Sequence, residues 1–290
     1  MDTEHLTPAA WLFNLLTPGI LMVVLTPTFL LTTLFNPRLL LNFQFDKLQS
    51  KSFALWWSTI GSCLSNDVPQ GLQPILDEHC RGKVLDIGPG SGFQLKRFKT
   101  AFEAGKIDEI YAVEPGTEMH DQLKGEAIKV FGGKAPRMYQ ILSCGAQPDA
   151  LIPYMDKHGL LQNNEAEGLF DTIVCIRALC GIPDPRETAN LFYRLLKPGG
   201  KIIFFEHVGN SGDRRRSGSR IAYLFQKVYM MLGYQFLASG CDLTRDTAGN
   251  LRTAAAADHG WDKVRVVDRN PEGCIPEVWG YMQKKSKRVA

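Results

Sequence analysis

Three glycines alternate with other residues directly after a short apolar run, in VLDIGPGSG (84–92). Glycine lets the backbone take a positive φ and lets a ligand approach the main chain closely. In an open α/β sheet, ligands bind beyond the carboxyl ends of the strands. A helix that follows such a loop points its first amides at that ligand. The pattern therefore predicts a ligand site at residues 88–92, with a plain tight turn as the alternative.

The spacing of this loop narrows the ligand class. A P-loop would need Gly-Lys-Ser/Thr, which is absent. A dinucleotide loop, G-x-G-x-x-G, would need glycine at position 93, where the chain has Phe93. The next predicted strand ends in Glu114, and an acid at that place accepts hydrogen bonds from a ribose diol. We therefore expect a nucleoside ligand rather than a nicotinamide dinucleotide.

These residues must be positioned by a sheet. The first five predicted strands are continuously apolar and alternate with helical patterns, which indicates a parallel sheet covered on both faces. The last two are joined by a short link, which favours an antiparallel pair. We predict an α/β fold with a doubly wound, mostly parallel, seven-stranded sheet. The predicted strands are 83–88, 110–114, 138–144, 170–179, 201–208, 262–268 and 277–284, with helices at 91–102, 117–131 and 186–196.

VLDIGPGSG followed by IYAVE (110–114) is similar to the cofactor site of class I S-adenosylmethionine-dependent methyltransferases. FDTIVCIRAL (170–179) and LLKPGGKIIFFEHV (195–208) resemble the later motifs of that family, in the same order. The resemblance covers residues 81–208. It implies a Rossmann-like methyltransferase fold with S-adenosyl-L-methionine as the cofactor.

The resemblance also implies roles for individual residues. The glycines would wrap the methionine part, Asp86 would hold the loop or the amino group, and Glu114 would bind the ribose hydroxyls. A residue among 143–145 would lie by the adenine, and residues 175–178 would approach the methionine end. The resulting cofactor-binding candidates are Asp86, Gly88, Gly90, Gly92, Glu114, Cys144 and Cys175.

A narrower resemblance extends over nearly the whole chain. The apolar leader, the FFEHV motif, GCDLTRDT (240–247) and VWGYMQK (278–284) are similar to membrane-anchored proteins that methylate small alkyl thiols in animals. The chain departs from them at Arg177, where they are apolar, and at Pro89. Fungal pathway enzymes that O-methylate polyketides share the same layout, so the acceptor stays open at this point.

His207 and Arg177 are the candidate catalytic residues. A histidine at a strand end could take a proton from a hydroxyl or thiol, and Arg177 could stabilise an enolate or phenolate. We therefore expect methyl transfer to an oxygen of a small lipophilic metabolite, in a secondary-metabolite pathway of the polyketide type. The alternatives are S-methylation of small alkyl thiols and a non-catalytic membrane protein that retains the fold. No metal is expected, because no His/carboxylate cluster has ligand spacing and no CxxC pair occurs.

The N-terminal segment has no charged residue from Leu6 to Pro37. It is long enough to span a bilayer, with a re-entrant turn at Pro18-Gly19 as a second membrane arrangement. A cleaved signal peptide and a buried core hairpin are the other interpretations. We predict a membrane anchor at 1–37, a helical cap at 38–80 and a methyltransferase domain at 81–290.

Charge gives the expected orientation and partners. Basic residues follow the anchor and acidic ones precede it, so the positive-inside rule places the catalytic domain in the cytosol, at an endoplasmic-reticulum-type membrane. The net charge is +3, too balanced for a dedicated nucleic-acid binder. Basic runs at 214–216 and 284–288 are solvated segments or contacts to an anionic membrane. The apolar stretch 218–237 favours a small lipophilic substrate, and the oligomeric state stays open.

Overall fold

The computed structural model describes residues 3–4, 6–161, 168–213 and 217–286. The basic run at 214–216 and the end of the run at 284–288 lie outside the described residues. Lys284 is described, and its ammonium donates to the carbonyls of Tyr193 and Leu196 at 2.8 and 2.9 Å. That lysine is therefore fixed on the body rather than solvated.

The sheet has the predicted class and strand count. Its seven main strands are β1 Gly82–Ile87, β2 Ile107–Val113, β3 Tyr139–Leu142, β4 Phe170–Ile176, β5 Leu196–His207, β6 Lys263–Arg269 and β7 Glu277–Gln283. They lie in the order β3-β2-β1-β4-β5-β7-β6, with β7 antiparallel to both of its neighbours. The two-residue strand Thr3–Glu4 adds a parallel eighth strand beside β6. The predicted doubly wound, mostly parallel sheet is confirmed.

Both faces of the sheet are buried, as the continuously apolar strands predict. Successive residues of one strand enter different cores: Leu85 packs in one, and Val84 in the other. Phe204 and Phe205 divide in the same way. Helices supply the two covering layers. The α-helices are α1 Pro8–Phe35, α2 Pro37–Leu41, α3 Phe45–Leu64, α4 Leu72–His79, α5 Lys99–Glu103, α6 His120–Phe131, α7 Ala135–Met138, α8 Pro148–Lys157, α9 Pro185–Leu195, α10 Arg220–Met231, α11 Tyr234–Leu237 and α12 Thr247–Thr253.

The predicted helix 91–102 is wrong in its first half. The chain there forms turns, then a 3₁₀ segment at Leu95–Phe98, and becomes α-helical only in α5. Gly92 has a φ of +85°, which no right-handed helix contains, so the loop includes the last glycine of the pattern, and turns continue to Gln94. A regular helix N-terminus therefore does not face the loop directly.

The N-terminal helix α1 runs unbroken for 28 residues through Pro18 and Pro27, so the chain does not turn back at Pro18-Gly19. Its mean hydropathy of 1.9 and its length are sufficient to cross a membrane, and 22% of that window is buried in the protein. One side packs on the body. Trp11 donates to the Glu272 carbonyl at 2.8 Å, and Tyr229 donates to the Leu15 carbonyl at 3.2 Å.

A third buried cluster, here called the apolar layer, lies between α1 and the body. Its residues come from α1, α3, α10, α11 and the loops around three cysteines. These residues are Leu15, Leu25, Trp56, Cys180, Ala222, Tyr229, Tyr234, Ala238, Cys241, Leu243 and Cys274.

Candidate active site

The glycine loop has the geometry that its sequence predicts. Gly88, Gly90 and Gly92 all have positive φ, at +62°, +58° and +85°. A Cβ added at Gly88 would lie 2.7 Å from the Ala178 Cβ, and one at Gly90 would lie 3.0 Å from Trp57 Nε1. Side chains at these positions would therefore both strain the backbone and fill the space beside it.

Glu114 lies directly after β2 and joins this loop. Its two carboxylate oxygens accept the backbone N–H groups of Gly90 at 2.9 Å and Gly116 at 2.8 Å. Burial raises the pKa of Glu114, and the two backbone hydrogen bonds oppose that shift. The predicted residue thus holds the glycine loop itself, and its remaining lone pairs are available to ribose hydroxyls.

Asp86 lies in β1, below the loop, and accepts a 3.0 Å hydrogen bond from the Tyr139 hydroxyl. Burial raises the pKa of Asp86 to about 7, Tyr139 opposes the shift, and the nearby charge of Glu114 adds to it. Sequence reasoning did not single out Tyr139, because nothing along the chain links the start of β3 to the middle of β1. The pair gives the site a carboxyl group poised between its charged and neutral forms.

We expect Asp86→Asn to stabilise the cofactor-free protein at about pH 8, with the gain falling as the pH is lowered and disappearing near about pH 4. The folded pKa lies above the ordinary 3.8, so stability from this group is full below pH 3.8 and is lost as the pH rises through about 7. The upper bound is roughly 4 kcal/mol at 1.36 kcal/mol per pKa unit. Thermal unfolding across pH measures it, with the exposed Asp108→Asn as the control. A pH-independent difference would contradict the assigned pKa.

A second observation supports a nucleoside cofactor at the glycine loop. The Ser91 hydroxyl is fully buried and has no hydrogen-bond partner among the described residues. A buried hydroxyl without a partner is costly unless a ligand supplies one. The left-handed glycines, this hydroxyl and Glu114 together fit S-adenosyl-L-methionine, the cofactor that the resemblance implies.

The two predicted cysteines of the cofactor site differ in placement. Cys144 follows β3 and is 9% exposed, at the rim where the adenine is expected. Cys175 lies inside β4, paired with Ile87, and its side chain is fully buried in the core. Only the main chain of Cys175 can face a ligand. Ala178, which lies against Gly88, is the nearer side chain from that predicted segment.

The candidate catalytic residues Arg177 and His207 meet at a residue that the sequence did not reveal, Glu277 of β7. The Glu277 carboxylate accepts from Arg177 at 2.8 Å and from Arg269 at 2.7 Å, and it lies 3.5 Å from His207 Nε2. Burial alone would raise the pKa of Glu277, but His207 and the two arginines hold it at about 2. Glu277 is thus an ionised carboxylate that contacts Arg177, Arg269 and His207 beside the carboxyl edge of the sheet.

The guanidinium of Arg177 is largely taken up by the protein. It donates to the carbonyls of Leu64 and Asp67 at 3.0 and 2.8 Å, as well as to Glu277, and it lies over the Phe205 ring. Arg177 therefore fastens the end of α3 to the sheet. Its predicted action on an oxygen acceptor stays a prediction, with few donors left to perform it.

His207 faces sulfur on its other side. Its Nδ1 lies 3.9 Å from Cys241 Sγ, and Cys180 completes a group whose ligand atoms all lie within 4.8 Å of one another. Burial lowers the pKa of His207, but Cys180 and Glu277 more than compensate and raise it to about 9. In that state the imidazole is protonated at neutral pH, so its predicted role as a base lacks a free lone pair. The neighbouring Glu206 accepts from the Ala178 N–H at 3.0 Å through one oxygen.

Comparisons with known proteins agree on the type of domain, whereas the relatives that they find differ in their acceptors. A family model described as "Methyltransferase domain" matches residues 41–236, more than half of the chain. A solved structure titled "Geranyl diphosphate methyltransferase in complex with GPP and sinefungin" is similar in fold. Its TM-score is 0.50 and its identity 13%, over 74% of this chain and 77% of that one.

Curated relatives differ in their acceptors. Thiol S-methyltransferase TMT1B of Homo sapiens is 35% identical over 31% of this chain and 34% of its own length. Methyltransferase OMS1, mitochondrial, of Saccharomyces cerevisiae is 30% identical over 46% of this chain and 27% of its own. The ubiquinone biosynthesis O-methyltransferase of Azotobacter vinelandii is 28% identical over 44% and 47%. The chain spans less than half the length of each of these relatives.

Proposed function

Because this chain belongs to the methyltransferase-domain family and is a class I S-adenosylmethionine-dependent methyltransferase, we propose that its acceptor is a small lipophilic thiol taken up at a membrane surface. The observation that carries the proposal is the apolar layer between α1 and the carboxyl edge of the sheet. That layer contains three cysteines and the ring of Tyr229. Beside it, α1 forms an open groove lined by Leu16, Gly19, Ile20, Val23, Val24 and Tyr229.

The residues of the chain then need only to position the reactants and to exclude water. The bound sulfonium supplies a methyl group that is already activated. The glycine loop and Glu114 fix the donor end, while the apolar layer excludes water and holds the acceptor in line behind the methyl. A thiol needs little base assistance at neutral pH, since its ordinary pKa is about 8.5. An ordinary alcohol would need a base.

Sulfur is preferred over oxygen for two reasons. The sequence argument for oxygen rested on a free Arg177, and that guanidinium is bound by Glu277 and two carbonyls. The similarity to thiol S-methyltransferases TMT1B and TMT1A supports sulfur. The second candidate is an enolic or phenolic oxygen, supported by the similarity to ubiquinone biosynthesis O-methyltransferases. A place in secondary metabolism stays a prediction.

A substrate panel decides between the two atoms. Purified full-length protein with S-adenosyl-L-methionine is offered lipophilic alkyl and aryl thiols beside phenols and enols matched in size. Mass spectrometry then detects the added methylene mass. We expect the thiols to be methylated at least about tenfold faster, a difference of 1.4 kcal/mol in barrier. Faster methylation of the oxygen compounds would overturn the sulfur assignment.

We further propose that α1 and α10 attach the protein to the cytosolic face of a membrane, of the endoplasmic-reticulum type. Large apolar side chains of α1 point away from the body, including Phe13, Val23 and Leu34 at 66%, 72% and 71% exposure. The side chain of Met231, which ends α10, is 87% exposed. Such a continuous apolar surface is unusual for a protein that faces only water.

Val23→Glu combined with Leu34→Glu is expected to release the protein from membranes. Each substitution removes roughly 2 kcal/mol of apolar burial and adds a charge, so partitioning should fall by at least about 10²-fold. Sedimentation with phospholipid vesicles measures the bound fraction. Ile128→Glu, at a 57% exposed position on α6, is the matched control and should leave binding unchanged. Equal behaviour of test and control would refute the attachment surface.

A further inference from the structure

Three side chains that could bind a metal meet at the carboxyl edge of the sheet. Cys180 follows β4, His207 ends β5, and Cys241 lies between α11 and α12. Their ligand atoms all lie within 4.8 Å of one another, and Cys241 Sγ lies 3.9 Å from His207 Nδ1. Among the described residues this is the one group of histidine, cysteine and acidic side chains with such spacing.

The backbone around the two cysteines is built for close approach. The Asp242 N–H donates to the Cys180 carbonyl at 3.0 Å, which joins the two loops. A Cβ added at Gly240, whose φ is +87°, would lie 3.0 Å from the Gly181 carbonyl oxygen. The glycine next to each cysteine therefore lets the two loops lie side by side, with the thiols of Cys180 and Cys241 close to each other.

The donor set suits zinc. Zinc binds cysteine sulfur at about 2.3 Å and histidine nitrogen at about 2.0 Å, so neighbouring ligands in a tetrahedron lie roughly 3.5–3.8 Å apart. The observed separations need to contract by no more than about 1 Å to reach that geometry. Three protein ligands leave the fourth tetrahedral position open, as in catalytic rather than structural zinc sites.

The surroundings orient the histidine for this role. His207 Nε2 faces the Glu277 carboxylate at 3.5 Å, and Glu277 is fixed by Arg177 and Arg269. A histidine that donates one ring N–H to a carboxylate presents the other nitrogen as a metal ligand. Nδ1 is the nitrogen that faces the sulfur atoms.

The charges also balance. A zinc ion with two thiolates is neutral, and the positive charges of Arg177 and Arg269 are offset by the carboxylates of Glu277 and Asp67. Cys180 and Cys241 belong to the apolar layer, where an uncompensated charge would be strongly disfavoured. A neutral unit of metal and two thiolates is compatible with that environment.

We propose that Cys180, His207 and Cys241 bind a zinc ion whose open position takes the sulfur of the acceptor thiol, an inference that rests on the proposed thiol function. Metal binding displaces one proton from each cysteine and the Nδ1 proton from His207, so three protons are released as the ion binds. The acceptor loses its thiol proton to solvent as its sulfur binds the metal. That sulfur then forms a bond to the methyl carbon while the carbon–sulfur bond of the sulfonium breaks. The electron pair stays on S-adenosylhomocysteine, and the product is a thioether.

Proximity to the glycine loop supports this placement. Ala178, two residues before Cys180, is the side chain that a Cβ on Gly88 would meet at 2.7 Å. The methionine end of the cofactor is expected at that loop. A metal-held sulfur would therefore approach the methyl group from the side of the apolar layer.

Metal content tests the site without reference to activity. Full-length protein, reduced and dialysed against zinc, is expected to retain one zinc per chain by elemental analysis. Cys180→Ser and Cys241→Ser should each lower the affinity at least 100-fold, and Glu277→Gln about tenfold through the orientation of His207. Cys80→Ser, at a buried cysteine that packs in a different hydrophobic cluster, is the control and should retain the metal. Circular dichroism checks that each variant is folded.

Cobalt substitution tests the fourth position. Cobalt in the wild-type site should give tetrahedral bands and a thiolate-to-cobalt charge-transfer band, and a lipophilic thiol should strengthen the latter while the matched alcohol does not. Absence of stoichiometric zinc in the folded wild type, or equal retention by the cysteine variants, would overturn the metal site. Metal binding with no response to thiols would overturn acceptor coordination. Zinc binding is read without any methyl transfer, so failure of the thiol function itself shows separately in the substrate panel.

Discussion

Gly90→Val is expected to abolish binding of S-adenosyl-L-methionine. Gly90 has a φ of +58°, a conformation that a β-branched residue rarely adopts. Its Cβ would lie 3.0 Å from Trp57 Nε1, and its N–H is the donor that Glu114 holds. The substitution therefore displaces the loop from both of its neighbours. Isothermal titration calorimetry should show at least a 10³-fold loss, about 4 kcal/mol.

A matched glycine separates this effect from backbone strain alone. Gly105 has a φ of +66°, but no atom lies within 4 Å of a Cβ added there, and it precedes β2 at the opposite edge of the sheet. Gly105→Val should lower the unfolding temperature while leaving the cofactor affinity within about twofold, or 0.4 kcal/mol. Cofactor affinity of wild-type strength in folded Gly90→Val would refute the assignment of this loop.

Glu114→Ala is expected to weaken the cofactor by about 1.5–3 kcal/mol, the usual loss when charge-assisted hydrogen bonds disappear. The reduction corresponds to roughly 10- to 150-fold in Kd. Two effects add. The ribose hydroxyls lose their acceptor, and the N–H groups of Gly90 and Gly116 lose the carboxylate that fixes the loop.

Two further variants define the origin of that loss. Glu114→Gln keeps the shape and one accepting oxygen, so its affinity should lie between those of wild type and alanine. Asp108→Ala removes an exposed carboxylate from the same strand and should have no effect. Calorimetry measures all three. A Glu114→Ala protein that binds as tightly as the Asp108→Ala control would remove Glu114 from the cofactor site.

The geometry of the candidate cofactor site could be predicted from the sequence because its parts are local. Glycines, Asp86 and the end of the next strand lie within one β-α-β segment, where spacing along the chain determines position in space. The place of Glu114 at the loop follows from the rule that parallel strands end at one edge. The details differ, since Glu114 holds the glycine loop through the Gly90 N–H and its own following turn through the Gly116 N–H.

The proposed acceptor half of the site could not be predicted in the same way. Cys180, His207 and Cys241 come from three separate segments, and Glu277 reaches His207 from the antiparallel strand β7. Spacing along the chain does not show which residues from separate segments come into contact. The expectation of no metal was therefore based only on clusters that are close in sequence. Arg177 was assigned from its type alone, and its partners at Leu64 and Asp67 depend on where α3 ends.

The attachment of α1 has a consequence for how this protein is made. The Asn14 side chain accepts the N–H groups of Cys274 and Ile275, and Trp11 donates to the Glu272 carbonyl, contacts that join residues about 260 positions apart. Contacts of such long sequence separation carry a large loop-closure entropy and form late. During synthesis, α1 must therefore wait until residues 272–275 have been made before it can dock. Until α1 docks, its exposed apolar surface makes the nascent chain prone to aggregate. Binding of α1 to a bilayer or to a chaperone would prevent that aggregation.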